Sequence, residues 1–86
     1  MKIKIRYFAM IKEAVGQAEE WRAITADEQE SGELTVGKLE SELFARYSLE
    51  QFRHTVRFAV NHQYVDRSTK LQAGDELALI TPVSGG

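Results

Sequence analysis

Along the first eight residues apolar and polar side chains alternate, with Ile3, Ile5 and Tyr7 on one side and Lys2, Lys4, Arg6 and Phe8 on the other. A period of two predicts a half-buried strand. From Ala9 to Val15 the spacing changes: Ile11, Ala14 and Val15 stand at i, i+3 and i+4, which predicts a short helix stopped by Gly16. Trp21, Ala23 and Ile24 suggest a second strand over residues 18–25, antiparallel to the first. Residues 26–33 carry Asp27, Glu28, Glu30 and Glu33 among serine, glutamine and glycine. They read as a solvated acidic loop, because the ligand spacing of a calcium-binding loop is missing.

Thr35 offers a helix N-cap, and Leu34 before it can pack on Leu39, although Lys38 stands where a capping-box acid would. Val36, Leu39, Leu43, Phe44 and Tyr47 recur at helical spacing, predicting the main helix over 36–47 with a single apolar stripe. Two short strands, 56–60 and 63–65, flank Asn61-His62, a tight turn that asparagine's tolerance of the left-handed conformation suits. Residues 69–73 cross irregularly and drop Leu71 onto the core; Gly74-Asp75 then turn into a last alternating strand over 76–81, ended by Pro82.

One amphipathic helix covering one face of a mixed four- to five-stranded sheet is a two-layer α+β architecture. If the first and last strands lie side by side at the centre, Ile3, Ile5, Tyr7, Leu77 and Leu79 go beneath the helix. Lys2, Lys4, Arg6, Phe8, Ala78 and Ile80 are then left on the opposite face, with Arg57 beside them. Half apolar and half basic, that face is a candidate protein-docking surface with Phe8 and Ile80 as anchors and Arg6 and Ala78 around them.

A chain of 86 residues has room for one domain, expected over 1–82, with a tail over 83–86. The net charge of −2 gives no push toward nucleic acid or an anionic membrane. No apolar run approaches the roughly 20 residues that span a bilayer, and the basic start lacks the apolar core of a signal peptide, so a cytoplasmic location is expected. Cysteine is absent, which excludes disulfides, thiolate nucleophiles and Cys-based zinc sites. His54 and His62 lack metal-ligand spacing, and no metal is expected. Ser84 has neither a histidine nor an acid fixed beside it, so it is a poor nucleophile candidate. If sulfur enters this chemistry, something else must bring it.

The remaining candidate is the end itself, Pro82-Val83-Ser84-Gly85-Gly86. Gly86 presents an α-carboxylate on an arm poor in side chains, and Gly85 and Gly86 allow backbone conformations closed to other residues. Fully stretched, Val83 to Gly86 reach roughly 13 Å, enough to enter a partner's active site while the domain stays outside. A frayed terminus is the plainer alternative.

Taken in order, Tyr7-Phe8-Ala9 with Glu13 and Gly16, Thr35-Val36, Ala59-Val60-Asn61, Leu71 with Gly74-Asp75-Glu76, and the ending Pro82-Val83-Ser84-Gly85-Gly86 resemble the small, sulfur-carrying subunit of molybdopterin synthase. That family has the ubiquitin-like β-grasp fold, and the resemblance covers nearly the whole chain. Departures are a longer acidic loop at 26–33, Thr81-Pro82 where a second proline can occur, and Ile80 where an aromatic is expected. The resemblance implies that an ATP-dependent activating enzyme adenylates the carboxylate of Gly86, and that sulfide then displaces AMP to leave a thiocarboxylate. Such an acid is ionised and nucleophilic at neutral pH, unlike an alkyl thiol. It implies further that the large subunit, in a heterotetramer of two small and two large subunits, receives Pro82 to Gly86 and passes the sulfur to a pyranopterin precursor. The chain would bind no cofactor and supply no general acid or base, acting as carrier and co-substrate. Sulfur donation for thiamin or tRNA thiolation, a ubiquitin-like modifier joined through Gly86, and an interaction domain with an inert tail stay open beside it.

Overall fold

The alternation at the amino end does what its period demands: β1 (Lys2–Tyr7) buries Ile3, Ile5 and Tyr7 and turns the residues between them the other way. The computed structural model describes residues 1–82; the predicted tail residues Val83, Ser84, Gly85 and Gly86 lie outside the described residues. After β1 come α1 (Ala9–Val15), β2 (Glu19–Ala23), α2 (Ala26–Ser31), α3 (Val36–Tyr47), a 3-10 turn (Glu50–Phe52), β3 (Arg57–Val60), β4 (Gln63–Val65) and β5 (Glu76–Ile80). Three strands are shorter than their patterns predict, since residues 18, 24, 25, 56 and 81 fall outside the ladders.

The strands form one five-stranded mixed sheet in the order β2-β1-β5-β3-β4. β1 and β5 run parallel, Ile5 opposite Leu77 and Tyr7 opposite Leu79, and the other neighbours pair antiparallel. The expected juxtaposition of first and last strands is present, with β5 in the middle position. Helix α3 contributes Val36, Leu39, Leu43 and Phe44 to one core with Ile3, Ile5, Tyr7, Leu77 and Leu79, while Leu34, Leu49, Phe52 and Leu71 complete it. Full burial of an Ile or Leu side chain stabilises by roughly 1.5–3 kcal/mol, so this layer is the main support of the fold. Thr35 caps α3 as expected, its hydroxyl accepting the Lys38 N–H at 3.2 Å.

The segment expected as a loop over 26–33 is instead helical from Ala26 to Ser31. Thr25 accepts the Glu28 N–H at 3.1 Å and the Glu28 carboxylate accepts the Thr25 N–H at 3.0 Å, a reciprocal capping box that starts α2. Arg22 on β2 forks both oxygens of Glu28 and also reaches Glu42 on α3 at 2.6 Å; Lys38 adds a bond to Glu28 at 2.9 Å. Helix α2 therefore clasps the edge strand β2 to α3. Its inward carboxylate is buried because two cationic partners, Arg22 and Lys38, meet it there.

The Arg22 guanidinium, ahead of the opposing effect of burial, holds the Glu28 carboxyl well below the usual carboxylate range. A carboxylate depressed in the folded state contributes stability above its unfolded pKa and loses it as pH falls toward the folded value. Thermal stability should fall as pH drops below about 4.3, the ordinary glutamate value. Glu28→Gln should flatten that acid limb and lower the midpoint at neutral pH by roughly 5–10 °C, on the scale of 4–8 °C per kcal/mol for a domain of this size. Calorimetry between neutral and acid pH checks both; an acid limb as steep in the variant as in the parent chain contradicts them.

Candidate functional site

The face of the sheet away from α3 is built by the same two-residue period. Along β1 it receives Lys2, Lys4 and Arg6; along β5, Glu76, Ala78 and Ile80. The Phe8 N–H bonds to the Leu79 carbonyl at 3.1 Å, so the alternation runs one residue past β1. Ala9 then takes a φ of 52°, a left-handed value uncommon for a residue with a Cβ, at the entry to α1. Register brings the neighbours into line: Arg6 and Ala59 both lie opposite Ala78, Arg57 opposite Ile80, and Tyr64 opposite Ala59.

Arg6, Phe8, Ala59, Tyr64, Ala78 and Ile80 line a shallow hollow of about 220 Å³. Ala78 and Ala59 are 8% exposed, so these small residues make its floor. Phe8 at 36% and Tyr64 at 75% exposure stand up as its walls. The rim is charged. Arg6 lies 5.2 Å from the centre of the Phe8 ring and 3.6 Å from Glu76, and His62 Nε2 is 4.0 Å from the same carboxylate. His62 and Asn61 both have positive φ, 73° and 50°, as a two-residue hairpin turn requires. The Asn61 side chain pins that turn, donating to Asp75 and accepting the Glu76 N–H, each at 3.0 Å.

Toward Pro82 the hollow continues into a second one of about 330 Å³ lined by Arg57, Tyr64, Ile80 and Pro82. Thr81 is buried and Pro82 exposed, so the end of β5 is anchored and the described chain finishes at the surface. On the other side of Pro82, Ala9, Met10, Phe52 and Thr55 border a cleft of about 490 Å³. Of the residues singled out from the sequence, Phe8, Ile80, Arg6 and Ala78 are thus brought together, with Pro82 at one end; Val83 to Gly86 are outside the described residues.

Tyr64 and Ala59 were missed, although the signal existed. Phe58 points into the core, so Ala59 points out, and a two-residue turn at Asn61-His62 fixes Tyr64 opposite Ala59. Trp21 is also exposed, near Lys4 on the neighbouring strand, with the Lys4 ammonium 5.6 Å from its ring centre.

The strongly perturbed tyrosine is elsewhere. The Tyr7 hydroxyl, pushed up chiefly by burial and then by its 2.5 Å bond to Glu20, lies on the helix side, where Tyr47 also donates to Glu20 at 2.6 Å. This pair ties α3 to β2 and faces no cleft of the open side. Among the described residues no group of three His, Cys, Asp or Glu side chains could hold a metal ion, and no helix is long and apolar enough to cross a membrane. His54 sits in the segment before β3 and His62 in the hairpin turn. What the open face offers is a small apolar depression with an ionic rim, suited to receiving another protein's side chains.

Comparison with known proteins gives this surface a context. The ThiS family profile matches residues 5–86. The molybdopterin synthase sulfur carrier subunit of Chlamydomonas reinhardtii is 36% identical over 88 residues, covering 100% of this chain and 100% of the relative. The human subunit of that name is 33% identical, covering 99% of this chain and 94% of the relative. Among solved structures, SAMP1 of Haloferax volcanii superposes with a TM-score of 0.78 at 24% identity, each chain covered at 100%. A complex of subunits 1 and 2 of the molybdopterin-converting factor of Helicobacter pylori matches with a TM-score of 0.68 at 21% identity, again with both chains fully covered. A ubiquitin of Caldiarchaeum subterraneum shares the fold with a TM-score of 0.60 at 21% identity, covering 100% of this chain and 98% of that one. With a ubiquitin-like β-grasp fold and curated relatives that are molybdopterin synthase sulfur carrier subunits, the chain belongs to the ThiS family.

Proposed function

We propose that this chain is the sulfur-carrying small subunit of a molybdopterin synthase and that Gly86 is its working end. The observation that carries the reading is full-length similarity to sulfur carrier subunits, joined to an open face whose two hollows share Tyr64 and Ile80 between Phe8 and Pro82. In this reading the Gly86 carboxylate attacks ATP on an activating enzyme, giving an acyl-adenylate and releasing pyrophosphate. Sulfide from a sulfur donor then adds to the acyl carbon and expels AMP, leaving a thiocarboxylate. The large subunit docks on the hollow around Phe8, Tyr64 and Ile80, takes Val83 to Gly86 into its active site, and supplies the acid and base groups for sulfur transfer to the pyranopterin precursor. The Helicobacter pylori complex of subunits 1 and 2 supports such a partner. Two small and two large subunits would form the working assembly.

The test is intact-mass analysis after incubation with ATP, an activating enzyme and a sulfide source. One oxygen exchanged for sulfur, mapped to Gly86, is the expected result. An unchanged mass under conditions that load a known carrier overturns the reading, and Gly86 found instead in an isopeptide bond to lysines supports a protein modifier.

A further inference from the structure

Beside the apolar hollow, Arg53, His54, Arg57 and Arg67 converge with Val56 on a cleft of about 340 Å³ that no step above uses. Two of its arginines are paired with carboxylates. Arg67 forks the buried Glu40 at 2.7 and 2.9 Å and donates to the Arg53 carbonyl at 3.0 Å. Arg53 forks Glu50 at 2.6 and 2.9 Å. Their guanidinium carbons lie 5.5 Å from the Phe58 ring centre and 5.2 Å from that of Phe44. Arg57 is different: it donates only to the backbone carbonyls of Thr55 at 3.3 Å and Val56 at 3.1 Å, and among the described residues it joins no ion pair. Three guanidiniums set against two carboxylates, Glu40 and Glu50, leave a local excess of one positive charge in a chain whose net charge is −2.

The position of Arg57 decides what this cleft meets. It lies opposite Ile80 and lines the hollow that ends at Pro82, so the basic cleft continues the open face. Because Arg57 lines both, the cleft borders the hollow on which a partner would seat. An exposed guanidinium at the rim of a contact favours a partner surface of opposite charge.

Resting on the function proposed above, we infer that the Arg53/His54/Arg57/Arg67 cleft is a second docking site, which receives aspartate or glutamate side chains of the large subunit and steers it onto the tail end of the sheet. Charges at the rim of an interface act chiefly on the association rate and its salt dependence, which separates this site from the apolar hollow.

The experiment measures association of the large subunit with the parent chain, Arg57→Glu and His54→Glu by stopped flow, at low salt and at about 1 M salt, where the screening length falls to roughly 3 Å. Both variants leave the Glu40 pairs intact, and circular dichroism confirms their fold. Arg57→Glu is expected to slow association about tenfold at low salt, His54→Glu by less, with both losses shrinking to under about twofold at high salt. Association rates equal to the parent's at low salt overturn the inference, as does a loss that persists unchanged at high salt, because that reports shape rather than charge. If the parent chain forms no complex with the large subunit at either salt concentration, the functional reading fails and takes this inference with it.

Discussion

Deleting Gly86 is expected to abolish sulfur loading outright while leaving the domain standing. Gly86 has no side chain to bury, and among the described residues the apolar core from Ile3 to Leu79 lies before Pro82. Loss of a residue outside the core should move stability by no more than about 0.5 kcal/mol, hence the thermal midpoint by roughly 2–4 °C. In the proposed function, by contrast, the chemistry has one acyl carbon to work on, that of Gly86. A truncated chain ends in the Gly85 carboxylate, shorter by about 3.3 Å of reach, and displacement of this size from a near-attack geometry costs catalysis orders of magnitude. Intact-mass detection of the thiocarboxylate and a coupled assay of molybdopterin formation give the readout. A truncated chain that still supports molybdopterin formation would show that the working group lies elsewhere.

The second large effect is expected at Ile80. It lines both hollows of the open face, which puts its side chain at the centre of the proposed docking surface. Ile80→Glu places a charge in what becomes a desolvated apolar contact, where truncation or disruption of central residues commonly costs about 2–4 kcal/mol, or thirty- to several-hundred-fold in Kd. Ile80 sits on the open side of β5 opposite Arg57, and the two buried leucines of that strand, Leu77 and Leu79, face the other way. Folding should therefore survive the change. Titration calorimetry against the large subunit checks the loss, with Phe8→Asp expected to follow it. Affinity equal to the parent's, with the thermal midpoint also unchanged, would remove this face from the interface.

Much of this arrangement was legible before any coordinates. The alternation of Ile3, Ile5 and Tyr7 and of Leu77 and Leu79, together with the stripe on α3, determines which side each strand buries; that alone puts Phe8, Arg6, Ala78 and Ile80 together on the other. Helix α2 was not legible from its apolar pattern because it has none: after Ala26 the segment to Ser31 is polar. Its local signals were Thr25 three residues ahead of Glu28, a capping box hidden in an acidic run, and Gly32 at the left-handed position that ends it. The burial of Glu28 depends on Arg22, and that of Glu40 on Arg67, across 6 and 27 positions of sequence. No periodicity encodes such pairings, since a charged side chain is placed inside only by a partner that tertiary structure delivers. Tyr64 sat in a strand too short for alternation to be read, and its orientation becomes evident only when the turn at Asn61-His62 fixes the parity of the hairpin.

The parallel pairing of β1 with β5 has a mechanical side. The amino end of β1 and the carboxyl end of β5 point in opposite directions along adjacent strands, so tension applied between the two chain ends runs along the ladder and loads its bonds in shear, all at once, instead of peeling them singly. A second ladder, to β3, braces the same strand from its other flank. A pull on the carboxyl end is therefore resisted by a central strand laddered on both of its sides.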